Sequence, residues 1–150
     1  MKQQYLKIQL VYFALVASSV LLGGAVYYLN MKKGPFIINE ESVYSVFLIA
    51  INVLAFTQVI AGITIFNSRI GRMRGYSQSD KMQIYKTSFI VRGGLIESAV
   101  LMFLAGYLIF GVRLFLYEAI LFFLLQVLYA PSKENAAKTV GISTDEFEKE

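Results

Sequence analysis

From residue 8 to residue 31 the chain carries no charged side chain, and from 42 to 68 it carries none again. Each run exceeds the roughly 18 apolar residues that mark a helix crossing a hydrocarbon layer about 30 Å thick. No water is present inside such a layer to satisfy backbone N–H and C=O groups, so runs of this length and composition fold as helices. Two further runs are interrupted. Residues 87–110 are uncharged except for Arg92 and Glu97, and 113–129 except for Arg113 at the start and Glu118.

Four spans follow, at about 8–29, 44–68, 87–110 and 113–130, forming a transmembrane domain over 1–130 with a connecting loop at about 69–86 and a tail at 131–150. Apolar residues make up 57% of the chain, charged residues 16%, and the mean hydropathy is +0.58. Four helices apolar all round would leave a soluble chain of this length too little polar surface. The fold class expected is therefore all-α, a polytopic membrane four-helix bundle. The first run is longer than the 7–15 apolar residues of a signal peptide and is expected to stay as an anchor.

Charge sets the orientation. Lys2 and Lys7, then Arg69, Arg72, Arg74, Lys81 and Lys86, then Lys133, Lys138 and Lys149 fall on one side. The other side has Lys32, Lys33 and Arg113, and Arg92 lies inside the third run, which accounts for all 14 basic residues. Positive charge in short loops marks the cytoplasmic face, so both termini are expected inside. The basic face formed by Arg69, Arg72, Arg74, Lys81, Lys86 and Arg92 sits beside a membrane end. Despite the net charge of +4, the partner expected is thus the lipid bilayer and not nucleic acid.

Local signals divide the chain further. Gly34-Pro35 ends the first helix, and Asn39-Glu40-Glu41 is suited to cap the second, which extends to about Arg72. The third starts near Ser79 and runs about 32 residues, and Gly111 turns it into the fourth through a tight hairpin. After Pro131, Ser132 opens a short helix that Gly141 closes, and Ser143-Thr144-Asp145-Glu146 has the form of another capped start.

With neither Cys nor His, the chain lacks thiol and imidazole chemistry, disulfides and Cys/His metal sites. No cofactor or metal is expected. The informative residues are the polar ones inside the membrane, which are expensive there and face protein or a path by default. Arg92 is a turn inside its boundary and is expected to snorkel to the headgroups. Glu118, two turns inside the outer boundary, ranks second, and with Gln126 it hints at a path.

Glu97 lies near mid-span, too deep for so short a side chain to snorkel. Gly94, Ser98, Leu101 and Ala105 are read as its face, with Gly94-x-x-x-Ser98 permitting close helix approach. Gly62, beside Ala55 and Gln58 on the second helix, and Gly23 on the first are further packing positions. Depth matching predicts a central polar cluster of Glu97 with Gln58, Ser98, Ser18 and Asn52; Ser19 and Gly24 also lie near the middle of the first helix. With no basic residue at that depth, the carboxyl is expected in its neutral, donor form.

Two functions are compatible with such a group. It can stitch helices together in a non-enzymatic accessory or scaffold subunit, as part of a larger membrane complex or a homo-oligomer. Alternatively it can carry a proton or cation in transport. Catalysis by paired carboxylates is disfavoured, since Glu97 and Glu118 are expected about 8 Å or more apart in depth.

The stretch from Tyr85 to Glu97, Tyr-Lys-Thr-Ser-Phe-Ile-Val-Arg-Gly-Gly-Leu-Ile-Glu, with the Gly111 hairpin and Pro131-Ser132-Lys133-Glu134, resembles small uncharacterised four-helix bacterial inner-membrane proteins. That resemblance implies a bacterial inner-membrane location and brings no activity. Gly94-Leu95-Ile96-Glu97-Ser98 is similar to the second helix of the proteolipid ring subunit of rotary ATPases, where the glutamate carries the ion. The glycine-repeat first helix of that family has no counterpart here, since residues 43–66 contain only Gly62.

Overall fold

A computed structural model describes residues 2–36 and 41–141. Over these the chain forms five helices: α1 (Lys2–Lys33), α2 (Glu41–Gly71), α3 (Gln78–Phe110), α4 (Arg113–Leu128) and α5 (Lys133–Val140). The two prolines, Pro35 and Pro131, fall in the breaks after α1 and α4. Ser77 caps α3, its hydroxyl accepting from the Asp80 N–H at 3.2 Å. The expected caps at Asn39-Glu40-Glu41 and Ser143-Thr144-Asp145-Glu146 involve residues 39–40, the Glu41 side chain and residues 143–146, which lie outside the described structure.

Three helices, α1, α2 and α3, are long and apolar enough to cross a membrane. At 1.5 Å per residue, the 33 residues of α3 reach about 50 Å, well beyond a hydrocarbon core of about 30 Å. The fourth expected span is the 16-residue α4, only about 24 Å long. It is followed by a 58° bend into α5. The outward faces are apolar: Leu10 is 71% and Leu21 72% exposed, as are many neighbours on α1 and α2. A surface of that kind suits lipid and not water.

The helices are arranged around α3, against which α1, α2, α4 and α5 all pack, whereas α1 meets α4 only sparsely. Two cores result. In the first, Ile51, Ala55 and Val59 of α2 and Phe115, Ala119 and Phe122 of α4 enclose the second half of α3, with Phe103 stacked on Phe122 at 5.2 Å. In the second, α5 folds back so that Ala136, Ala137 and Val140 meet Tyr5, Ile8 and Tyr12 of α1 and Met82, Tyr85 and Phe89 of α3. Tyr5 Oη donates to the Pro131 carbonyl at 3.0 Å and ties this end together.

The α3–α4 hairpin depends on two glycines. Gly111 takes φ 67°, a left-handed conformation that side chains rarely adopt, and its N–H reaches the Tyr107 carbonyl at 2.8 Å. A β-carbon on Gly106 would lie 2.5 Å from the Phe115 ring, so only glycine lets the two helices close.

Candidate functional site

Glu97, 5% exposed, projects from α3 between α1 and α4. Its carboxyl receives three donors. Ser18 Oγ donates to Oε1 at 2.5 Å, Ser19 Oγ to Oε2 at 2.5 Å, and Gln126 Nε2 to Oε2 at 2.9 Å. Ser19 is 4% and Gln126 2% exposed, so the group has exchanged water for three hydrogen bonds from two other helices.

Local sequence explains how α1 comes so close. Successive residues on a helix are about 100° apart, so Ser18 and Ser19 can reach the two oxygens of one carboxyl from either side. One turn before Glu97, a β-carbon on Gly93 would lie 3.2 Å from Leu15 Cδ1. One turn after Ser19, a β-carbon on Gly23 would lie 3.8 Å from Leu104 Cδ2. Gly93 thus opens the α1–α3 approach on one side of the polar contact, while at Gly23 a β-carbon would make ordinary van der Waals contact.

Each serine also has a second acceptor. Ser18 Oγ is 2.8 Å from the Leu15 carbonyl, and Ser19 Oγ is 3.3 Å from Gln126 Oε1. With an ionised carboxylate all three donors point at Glu97. With a carboxylic acid, the Ser18 hydroxyl can turn to Leu15 and accept the acid proton, leaving every partner satisfied.

Other sequence-predicted residues fall elsewhere. Ser98 donates to Gln58 Oε1 at 2.7 Å, an α2–α3 pair separate from Glu97 because residue 98 is turned about 100° from residue 97. Asn52 donates to its own helix at the Leu48 carbonyl, 3.0 Å away. Glu118 is half-buried and does not contribute to the Glu97 carboxyl, whereas Gln126 does.

Among the expected packing positions, Gly62 sits where a β-carbon would meet Arg92 Cα at 3.4 Å, which is backbone-to-backbone approach of α2 and α3. Gly94 and Ala105 are exposed, and nothing lies within 4 Å of a β-carbon on Gly94. The reason is helical phase. Gly94, Leu101 and Ala105 lie about 40–80° to one side of Glu97, and Gly93, Val100 and Leu104 about 20–60° to the other, the side that is packed.

Of the basic face, Arg69, Arg72 and Arg74 are exposed and Lys81 and Lys86 half-buried at the α2–α3 turn. Arg92, expected to reach the headgroup level, is half-buried, and its guanidinium lies over the Phe66 ring at 4.0 Å and the Tyr129 ring at 4.6 Å. Among the described residues no three His, Cys, Asp or Glu side chains converge on a metal position. Sequence reasoning passed over Gly93 and Gly106 and left Ser19 outside the cluster; the adjacent Ser18-Ser19 pair in an apolar helix was the signal available.

No family model, curated protein or solved structure matches the chain.

Proposed function

We propose that this chain is a small non-enzymatic integral membrane protein, an accessory or scaffold subunit, in which Glu97 holds the helices together. The supporting observation is that one carboxyl takes donors from α1 and α4 at once. Among the described residues of α1 beyond Tyr12, only Ser19 is fully buried. That part of α1 has little apolar grip on its neighbours. Hydrogen bonds between membrane helices contribute about 1 kcal/mol each, while a mid-membrane carboxyl without partners costs about 2.5 kcal/mol or more.

In this reading the protein is a four-span bundle of the bacterial inner membrane with both termini in the cytoplasm. The antiparallel order of the helices supports it by gathering Lys7, the α2–α3 turn and α5 at one end, where most basic residues lie. The short α4 crosses by local thinning of the bilayer, helped by Arg113 and Tyr129 at its ends. The chain contains no cysteine, so single engineered cysteines at each loop, probed with an impermeant thiol reagent, report sidedness without background.

The decisive test compares Glu97→Gln with Glu97→Leu. The stitch predicts that Gln, which keeps acceptor and donor atoms, holds α1 in place, while Leu releases it. A disulfide between Gly23→Cys and Leu104→Cys would report this docking. Equal cross-linking in the Leu variant would overturn the stitch.

A second reading, a proton- or cation-coupled transport element, draws on a different observation. Ser19 lines an open groove of about 200 Å³ between α1 and α4, together with Gly23, Gly24 and Ala119, which gives the Glu97 cluster lateral access. The likeness of residues 94–98 to an ion-carrying proteolipid helix fits as well. Loss of proton flux into vesicles in a well-folded Glu97→Gln variant would favour this reading over the first.

A further inference from the structure

Among the described residues, Arg92 is a cation ringed by aromatic side chains. It projects from α3 at the end where α4 breaks, into a pocket of about 400 Å³ also lined by Phe66, Tyr129, Asn135, Lys138 and Thr139. Three rings hold the guanidinium carbon, Phe66 at 4.0 Å, Tyr129 at 4.6 Å and Phe89 at 5.3 Å. Cation–π contact answers the charge but not the five N–H donors. Among the described residues one acceptor is supplied, the Tyr129 carbonyl at a long 3.5 Å. Among the described residues, the titratable groups that face Arg92 are the phenols of Tyr85 and Tyr129 and, across the pocket, the Lys138 ammonium, and no carboxylate lines the pocket.

The pocket thus offers a planar fork of donors held in place by aromatic rings, with a second cation, Lys138, and the Asn135 amide on its α5 wall. Two positive charges and a fork of in-plane N–H groups match the oxygens of a phosphate. Position adds a further element. Leu128, 80% exposed, lines the same pocket at the last turn of α4, so an apolar chain attached to the phosphate would have a surface to follow.

We propose that this pocket binds a phosphate group, with Arg92 as the bidentate ligand and Lys138 as the second charge, and with Leu128 marking where a lipid tail leaves if the phosphate belongs to a headgroup. The folded-back α5 is then a wall of a ligand site, and phosphate in the pocket would hold the tail against the membrane domain. The proposal goes beyond the Glu97 reading and does not depend on it.

The test uses the full chain in nanodiscs, either of a phosphate-free galactolipid alone or with added phosphatidylglycerol, read by native mass spectrometry for lipid retained after ejection. The wild-type protein should retain phosphatidylglycerol, and both Arg92→Lys and Lys138→Ala should weaken retention by about tenfold, as expected for loss of a charge-assisted contact. Retention that added inorganic phosphate does not displace assigns the site to a headgroup. Binding of inorganic phosphate in galactolipid discs, seen by phosphorus NMR and lost in the same variants, assigns it to a free phosphate; either outcome supports the proposal. Retention and phosphate binding that are absent, or unchanged in both variants, overturn it. Lys138 is an exposed residue of α5, so its variant decides the question even if Arg92→Lys fails to fold.

Discussion

On one side of α3, helix α2 lies against it through apolar, mostly small contacts: Ala55, Val59 and Ile51 meet Ile96, Ala99 and Phe103, and Gly62 brings the two backbones together. On the other side, the middle of α1 is held by Ser18 and Ser19 on Glu97, while its flanking residues face outward. The first contact depends on shape and the second on hydrogen bonds. In lipid, where apolar surface has no drive to leave its solvent, close packing and polar contacts are the two main means of joining helices, and α3 uses one on each side.

This contrast can be broken from either side. The largest effect is expected from Glu97→Ala, which removes three hydrogen bonds at once, leaving Ser18 and Ser19 only their second acceptors and the Gln126 amide without its carboxyl partner. A loss of about 3 kcal/mol follows at about 1 kcal/mol for each. It should appear in helicity-monitored unfolding on titration with a denaturing detergent, together with loss of α1 docking. Next is Gly62→Leu, where a side chain must displace the Arg92 backbone at 3.4 Å; overpacking costs about 2 kcal/mol. Its signature differs, because α2 should separate while a cross-link between α1 and α3 survives.

Ser19→Ala removes one of the three donors, and Gln126 remains on Oε2. A loss of about 1 kcal/mol is expected in the same detergent titration. The smallest effect belongs to Gly94→Ala, within about 0.5 kcal/mol of wild type, because the added methyl enters open space. A large destabilisation at Gly94 would mean that the exposed stripe of Gly94, Leu101 and Ala105 is covered by another chain, which would sharpen the comparison by adding a third side to α3.

Legibility in the sequence differs between these features in the same way. The start of α3, expected near Ser79 and found at Gln78, the Gly111 turn and the closure of α5 by Gly141 were readable because caps and left-handed glycines act within a few residues. Glu97 stood out because a lone carboxylate deep in an apolar run is costly wherever its partners lie. The partners were harder. Depth alone matched Gln58 to Glu97, but depth does not contain the rotation of α3, which turns residue 97 toward α1 and α4 and residue 98 toward α2.

Arg92 shows the same limit. Its place near a membrane end was visible, and snorkelling was the expectation. The direction it takes depends on α5 bending back by 58° to build a pocket beside it, an event about forty residues downstream.

The sequence by itself determined the helices, their breaks and the isolation of one carboxyl in apolar surroundings, because backbone hydrogen bonding and the cost of charge in hydrocarbon are local properties of each segment. Only the tertiary structure decided which serines and which glutamine meet Glu97, and that Gly93 rather than Gly94 admits α1. The physical reason is that a helix's rotation about its axis is set by every neighbour packed against it, and no one segment encodes it.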